Sequence, residues 1–185
     1  MLFVGIDGEM SSANLAEGGR LVQIGVAVRL PDGSLDGASW IINPGEMTWD
    51  ATAAAVHGIS YETVIQQGRS QDSVDQELYE WLVGHGADAR RRAKTVPVGF
   101  NITGFDLPFI KLQLPKTFSV LSRRTAELNG MLWLLNGKNG RGFEEWKDEA
   151  LGQAHRLLED YRPHDAGWDA QRHLLCYEYL QSVIL

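Results

Sequence analysis

Two rhythms of apolar residues alternate along the chain. The first is the short continuous run. Leu2-Phe3-Val4, continuing to Ile6, reads as a buried strand, Leu21 to Val28 as a second, and Ala38 to Ile42 as a third returning beside the second. A polar, glycine-containing stretch from Ser11 to Gly19 and a Pro31-Asp32-Gly33 turn separate them. Strands that follow one another through short links predict an antiparallel meander. A fourth strand is expected from Val96 to Phe100, with Pro97 limiting it to partial pairing.

The second rhythm is the helical period. Asp50 can cap a short helix from Ala51 to Val56 closed by Gly58, and Ser60 another to Gln66 closed by Gly68. Val74, Leu78, Trp81 and Leu82 share one face of a longer helix from Asp72 to about Gly84. Phe105 to Leu112 reads as a helix with Pro108 in its first turn, where proline is tolerated. Leu128, Met131, Leu132 and Leu135 mark another helix. Leu151, Ala154, Leu158 and Tyr161 mark the next, which Pro163 breaks. The last runs from about Ala166 to the C-terminus, with Ala170, Leu174, Tyr177 and Leu180 on one face.

Three antiparallel strands, helices, one more strand and then mostly helices predict an α/β layered domain with a mixed sheet. No linker or repeat divides the chain, so residues 1–185 are expected to fold as one domain. A hydrophobic content of 44% supports a sizeable core. No apolar run is long enough to span a bilayer, and Met1-Leu2-Phe3 lacks the basic residues that open a leader, so a cytoplasmic protein with no membrane partner is expected. The lone cysteine, Cys176, allows no intrachain disulfide and sits in a helical pattern as a small core residue. The net charge of −7 argues against a nucleic-acid partner unless metal offsets it; two divalent ions would bring it to −3. The basic run Arg90-Arg91-Arg92-Ala93-Lys94 reads as a solvated loop, with a phosphate contact as its second reading.

Side chains two apart on a strand share a face, so Asp7 and Glu9 aim at one point. Alone they read as a solvated strand end. A divalent cation between them would make their repulsion tolerable. Asp106 opens a helix, where an acid also has a plain dipole explanation. Asp169 lies at the border of a packed helical face and needs a partner there. His164, five residues earlier, carries the side-chain type suited to general-base work near neutrality.

Together these residues resemble the DEDDh branch of the DEDD (DnaQ-like) 3′–5′ exonucleases, which are built on a ribonuclease-H-like fold. Asp7-x-Glu9 matches the first motif, Asn101 with Phe105-Asp106 the second, and His164-x4-Asp169 the third. Gly5 to Met10 is similar to oligoribonuclease. Ile42-Asn43-Pro44-Gly45 and Ala55-Val56-His57-Gly58-Ile59 are similar to the proofreading subunit of bacterial DNA polymerase III. Met10 stands where threonine is common. Four residues separate Asn101 from Asp106, one more than usual in this branch and closer to the exonuclease domain of family B polymerases. Thr117 to Leu121 only loosely fills the place of an aspartate-led strand.

The resemblance implies a ribonuclease-H-like mixed sheet, three antiparallel strands and then parallel additions, flanked by helices. It implies a metal-dependent exonuclease releasing nucleoside monophosphates from single-stranded ends, DNA ahead of RNA. Two divalent ions, Mg²⁺ or Mn²⁺, would be held by Asp7, Glu9, Asp106 and Asp169, with His164 as the base; these five form the catalytic set. Gly8, Met10, His57, Asn101 and Phe105 are the substrate-binding candidates. Phe105 would stack a base or simply pack in the core, Met10 would act as a wedge, and the backbone from Gly8 to Met10 would hold the terminal sugar. The partner is the 3′ end of single-stranded DNA or RNA, with a second copy of the chain or a DNA polymerase as further partners. Two readings compete with this one. A ribonuclease-H-like endonuclease needs no histidine at this spacing, and a catalytically weak polymerase-associated or nucleic-acid-binding subunit needs no complete set of acids.

Overall fold

A computed structural model describes residues 1–158 and 161–185. Strands β1 (Leu2–Met10), β2 (Leu21–Arg29) and β3 (Leu35–Asn43) form the antiparallel meander. Strands β4 (Arg69–Ser70), β5 (Thr95–Gly99) and β6 (Ala126–Glu127) add to it in parallel, giving the order β4-β3-β2-β1-β5-β6. This is the mixed sheet that the sequence leads one to expect. Its strands outrun their apolar runs because pairing continues beyond them: β1 is matched to β2 from Val4 to Met10. Asp7 and Glu9 therefore lie inside a paired strand rather than beyond its end. Since β6 reaches only Val98 and Gly99, Pro97 has β1 alone as its neighbour.

The helices are α1 (Ala51–His57), α2 (Tyr61–Gln67), α3 (Gln71–Gly84), α4 (Asp106–Gln113), α5 (Pro115–Val120), α6 (Leu128–Leu135), α7 (Phe143–Leu157) and α8 (Ala166–Ile184). Asp50 and Ser60 cap α1 and α2 as expected, and Gly58 closes α1 in the left-handed conformation. Gly68 does not close α2 that way: at φ −67° it leads straight into β4. Thr117 to Leu121 forms no strand. Pro115 starts α5, and the buried carboxylate of Asp75 on α3 accepts the N–H groups of Lys116 and Thr117, donors that a first helical turn leaves free. Helix α7 begins eight residues before Leu151 and stops at Leu157. Residues 159 and 160 of the expected continuation lie outside the described residues, and Tyr161 is not helical. The run 90–94 is a 3-10 turn rather than an open loop. Among the described residues no helix is long and apolar enough to cross a membrane.

Strand alternation divides the core. Val4, Ile6, Ile24, Val26 and Val28 face one cluster with α3, α4 and α5, while Phe3, Ala27 and Val98 face the other with α6, α7 and α8. Cys176 is fully buried in the second cluster, and burial pushes its thiol up to about 12, as a small core residue requires.

Helix α8 lies directly on the strands because two glycines face it. A Cβ at Gly25 would stand 1.9 Å from the carbonyl oxygen of Ala166, and one at Gly5 would stand 2.0 Å from that of Ala170. Backbone cannot yield as a flexible side chain can, so Gly25→Ala is expected to lift the start of α8. Overpacking of this kind costs about 1–3 kcal/mol, or about 2–4 °C in Tm for each kcal/mol. Gly130→Ala on α6, where nothing lies within 4 Å, is expected to hold or raise Tm. Thermal denaturation of both variants checks this; equal Tm values would show that the contact does not set the helix position.

Candidate active site

Phe3, Gly5, Asp7 and Glu9 share the face of β1 that looks at α8, where Phe3 packs on Tyr177 with ring centroids 4.5 Å apart. Across the strand pair, Asp7 sits opposite Gly25 and Glu9 opposite Gln23. The Gln23 side chain pins the start of α8: its Oε1 accepts the N–H of Ala166 at 3.1 Å, and its Nε2 donates to Asp165 at 3.5 Å. Asp165 caps the helix by accepting from Gly167 and Trp168. Asp169, one turn further, is thereby directed at the acids of β1.

Asp169 is 3% exposed and held on three sides. The Tyr161 hydroxyl donates to Oδ1 at 2.5 Å, the Arg172 guanidinium lies 2.9 Å from the same oxygen, and the backbone N–H of His164 donates to Oδ2 at 3.1 Å. Arg172 also donates to the Tyr161 hydroxyl and stacks over its ring. Asp106, the first residue of α4, is buried, and its Oδ1 accepts the N–H of Gly8 at 3.0 Å. That bond occupies one of the backbone groups expected to face a substrate sugar.

The four carboxylates come from three elements, and the charged forms of three are disfavoured. Burial raises Asp7 well above the usual carboxylate range, with Asp106, Asp169 and Glu9 adding repulsion and Arg172 opposing it. Burial and the same kind of crowding push Glu9 to about 8. Burial pushes Asp106 to about 7 despite the backbone hydrogen bonds that favour its charge. His173, one turn beyond Asp169 on α8, supplies no countercharge. Its Nδ1 donates to the carbonyl of Ile6 at 2.9 Å, and burial lowers the ring to about 4, so Nε2 presents a lone pair 3.8 Å from Asp7 rather than an ion pair.

His164 is exposed and holds φ +60°, a conformation uncommon outside glycine. One ring nitrogen, a Glu9 oxygen and an Asp169 oxygen lie within 4.8 Å of one another, a group that could hold a metal ion. Beside it opens a pocket of about 170 Å³ lined by Gly8, Glu9, Met10, His57 and Phe105 together with Ala13, Ala53 and Val56. His57 ends α1; its Nδ1 accepts from Ile59, and its Nε2 is buried with no partner among the described residues. Burial lowers its pKa, the Met10 backbone opposes that shift, and neighbouring His164 adds to the lowering. Phe105 is half-buried: it rests 5.8 Å from the Phe109 ring and also lines the pocket. Asn101 is not a lining residue. It is exposed at φ +54°, with its N–H donated to Glu127 at 2.5 Å.

Sequence reasoning missed Arg172, Tyr161 and Gln23. Arg172 had a signal, three residues after Asp169 on a predicted helix. Tyr161 was expected on a packed helix face instead. Gln23, inside an apolar strand run, had none.

No protein-family model matches the chain, and no curated protein matches it. Solved structures do. Escherichia coli exonuclease I in complex with a dT13 oligonucleotide superposes with a TM-score of 0.69 at 14% identity, over 98% of this chain and 41% of that one. The zinc-bound form of its complex with single-stranded DNA gives 0.70 at 14%, over 99% and 40%. Cell-death related nuclease 4 (CRN-4) gives 0.63 at 18%, over 99% and 63%. The fold is the ribonuclease-H-like exonuclease fold. The chain spans about two fifths of the length of the exonuclease I structures it matches.

Proposed function

We propose that this chain is a DEDDh 3′–5′ exonuclease acting on single-stranded ends, DNA ahead of RNA. One observation carries the reading: Asp7, Glu9, Asp106 and Asp169 converge from β1, α4 and α8, where burial disfavours the charges of Asp7, Glu9 and Asp106 and neighbouring acids add repulsion at Asp7 and Glu9. Such a cluster is stable with its charges on only if cations share it. The residues present suit Mg²⁺ or Mn²⁺, since the carboxylates are hard oxygen donors, and Asp169 has used three of about four acceptor positions, leaving one. When bound there, divalent ions would supply positive charge to the phosphodiester and lower the pKa of water.

The chain's own residues do the rest. His164, exposed at the rim beside Glu9 and Asp169, takes a proton from the attacking water. Arg172 and Tyr161 hold Asp169 in place through that transfer. The pocket between Met10, His57 and Phe105 receives the terminal nucleotide, with the buried Nε2 of His57 available to a sugar or base oxygen. Water adds to phosphorus, the 3′ oxygen of the preceding nucleotide leaves, and a nucleoside 5′-monophosphate is released. The exonuclease I structures with dT13 and with zinc support single strands and a divalent metal as the working conditions.

A digestion series tests this. With 5′-labelled single-stranded DNA, single-stranded RNA and duplexes with matched or mismatched 3′ ends, Mg²⁺ or Mn²⁺ is expected to give a ladder shortening from the 3′ end, absent in EDTA. Internal cuts would replace the proposal with an endonuclease, and intact substrate in every lane would end it.

A further inference from the structure

The chain is acidic overall, yet six of its 17 lysines and arginines fall in 90–94 and 123–124. The fold brings these two stretches together. Ser122 donates its N–H to the carbonyl of Thr95 at 2.7 Å, and Ala126 pairs with Val98, so Arg123 and Arg124 lie between these anchors along the outer edge of β5. The 3-10 turn carrying Arg90, Arg91, Arg92 and Lys94 runs into the start of the same strand. Arg92 fastens the turn to the body of the protein. Its Nε donates to the carbonyl of Leu121 at 2.9 Å, its Nη2 donates to that of Phe118 at 3.4 Å, and its guanidinium rests over the Phe118 ring.

The result is a groove of about 340 Å³ lined by Arg92, Ala93, Ser122, Arg123 and Arg124. Arg90, Arg91, Lys94, Arg123 and Arg124 are exposed, and none forms a salt bridge among the described residues. The acids nearest in the chain are already engaged: Asp88 caps the 3-10 turn, and Glu127 accepts from the N–H groups of Asn101 and Thr103. Like charges gathered this way repel, and a polyanion relieves that repulsion.

The patch is also connected to the candidate active site. Residues 122–127 lead from the groove to the loop before α4, where the hydroxyls of Thr125 and Thr103 meet at 2.9 Å, and that loop ends at Phe105 and Asp106. The anchors on either side of Arg123 and Arg124, at Thr95 and Val98, stand level with Leu2 and Gly5 of β1, five and two residues before Asp7. That places the segment about 7–17 Å along the strands and about 10 Å across them from the acids. This is too far to touch the phosphodiester being cut and a suitable distance for phosphates a few nucleotides upstream.

We infer that Arg123 and Arg124, with the neighbouring 90–94 turn, bind the phosphates of the single strand upstream of the end held at Asp7, Glu9, Asp106 and Asp169. This rests on the nuclease reading above. It adds that affinity depends on strand length and that the length-dependent part lies here, outside the carboxylate cluster.

The test compares wild type with Arg123→Gln/Arg124→Gln. Binding of a fluorescein-labelled 16-nucleotide single-stranded DNA and of a labelled trinucleotide is followed by anisotropy in EDTA, between 50 and 200 mM salt. The double variant is expected to bind the 16-mer about 10-fold more weakly, with a salt slope shallower by about 1.4, or about 0.7 for each phosphate contact removed. Trinucleotide affinity and Mn²⁺-dependent trinucleotide hydrolysis are expected to be unchanged. Equal affinities and slopes for the 16-mer, or no wild-type binding of it, would overturn the inference, as would equal loss on the trinucleotide. Absence of hydrolysis by wild type would instead overturn the reading of the carboxylate site, while the binding comparison would still judge the patch. Both arginines are exposed on an edge segment, so unchanged Tm accompanies the expected result.

Discussion

Asp7→Asn is expected to abolish hydrolysis and, without metal, to make the protein more stable. The two effects share a cause. Asp7 lies at the centre of the carboxylate cluster, with Asp106, Asp169 and Glu9 each adding to the cost of its charge and burial adding most. Removing that charge should cost at least the 10²–10⁴-fold typical of losing a catalytic proton-transfer group, because every carboxylate of the cluster is arranged around it. The sign of the stability effect follows from proton linkage. Glu9 at about 8 and Asp106 at about 7 bind protons in the metal-free folded chain that the unfolded chain has already released above its ordinary carboxylate range. The stability these groups contribute is full below about pH 4 and is lost as pH rises towards 8. Asparagine at position 7 removes one source of repulsion, so in EDTA its Tm gain over wild type should be larger at pH 8 than at pH 5. The gain should be about 2–4 °C for each kcal/mol relieved. Excess Mn²⁺ should raise the wild-type Tm and leave the variant nearly unmoved, since a ligand stabilises only the state that binds it. Retained hydrolysis, or a Tm below wild type at both pH values, would refute this account.

His164→Ala should lower the rate about 10²–10⁴-fold while leaving the fold and strand affinity intact. The ring is exposed, so no core contact is lost. What His164 contributes to the architecture is its backbone N–H, donated to Asp169, and alanine keeps it. Alanine is strained at φ +60°, whereas glycine is not. His164→Gly should therefore match the alanine variant in rate and exceed it in stability by about 1 kcal/mol of relieved strain, or about 2–4 °C in Tm. Single-turnover rates beside anisotropy separate the roles. A rate loss mirrored by an equal loss of strand affinity would make His164 a binding group rather than a base.

Arg172 explains how the cluster holds together before any cation arrives. It is the cation whose effect opposes the raised pKa of both Asp7 and Glu9, and it reaches Asp169 directly while sharing Tyr161 with it. With the His173 ring neutral, it is the countercharge that α8 brings to the acids. The helix thus delivers one carboxylate and one cation to the same point, three residues apart on one face.

What the chain's own order of residues determined is local. Alternation along β1 put Asp7 and Glu9 on one face, and short apolar runs with turn residues between them produced the meander. Asp50, Ser60 and Gly58 marked helix ends because a cap acts within a few residues of itself. The spacing of His164 and Asp169 is met by the left-handed residue and helical turn that bring them together. The tertiary structure decided whatever depends on a distant partner. Residues 117–120 are helical because Asp75, about 40 positions earlier, accepts the first-turn donors of α5. Gly8 lost its free N–H to Asp106, and Tyr161 left a helical pattern to hold Asp169. Gly5 and Gly25 look like weak points in their strands until α8 is laid across them. Arg123 and Arg124 join the basic run through the Ser122–Thr95 bond, the pairing of β5 with β6 and the contacts of Arg92. Periodicity reports which side of an element is apolar. Which carbonyl, carboxylate or guanidinium arrives on that side is set by packing, where a contact between positions a hundred residues apart is worth as much as one between neighbours.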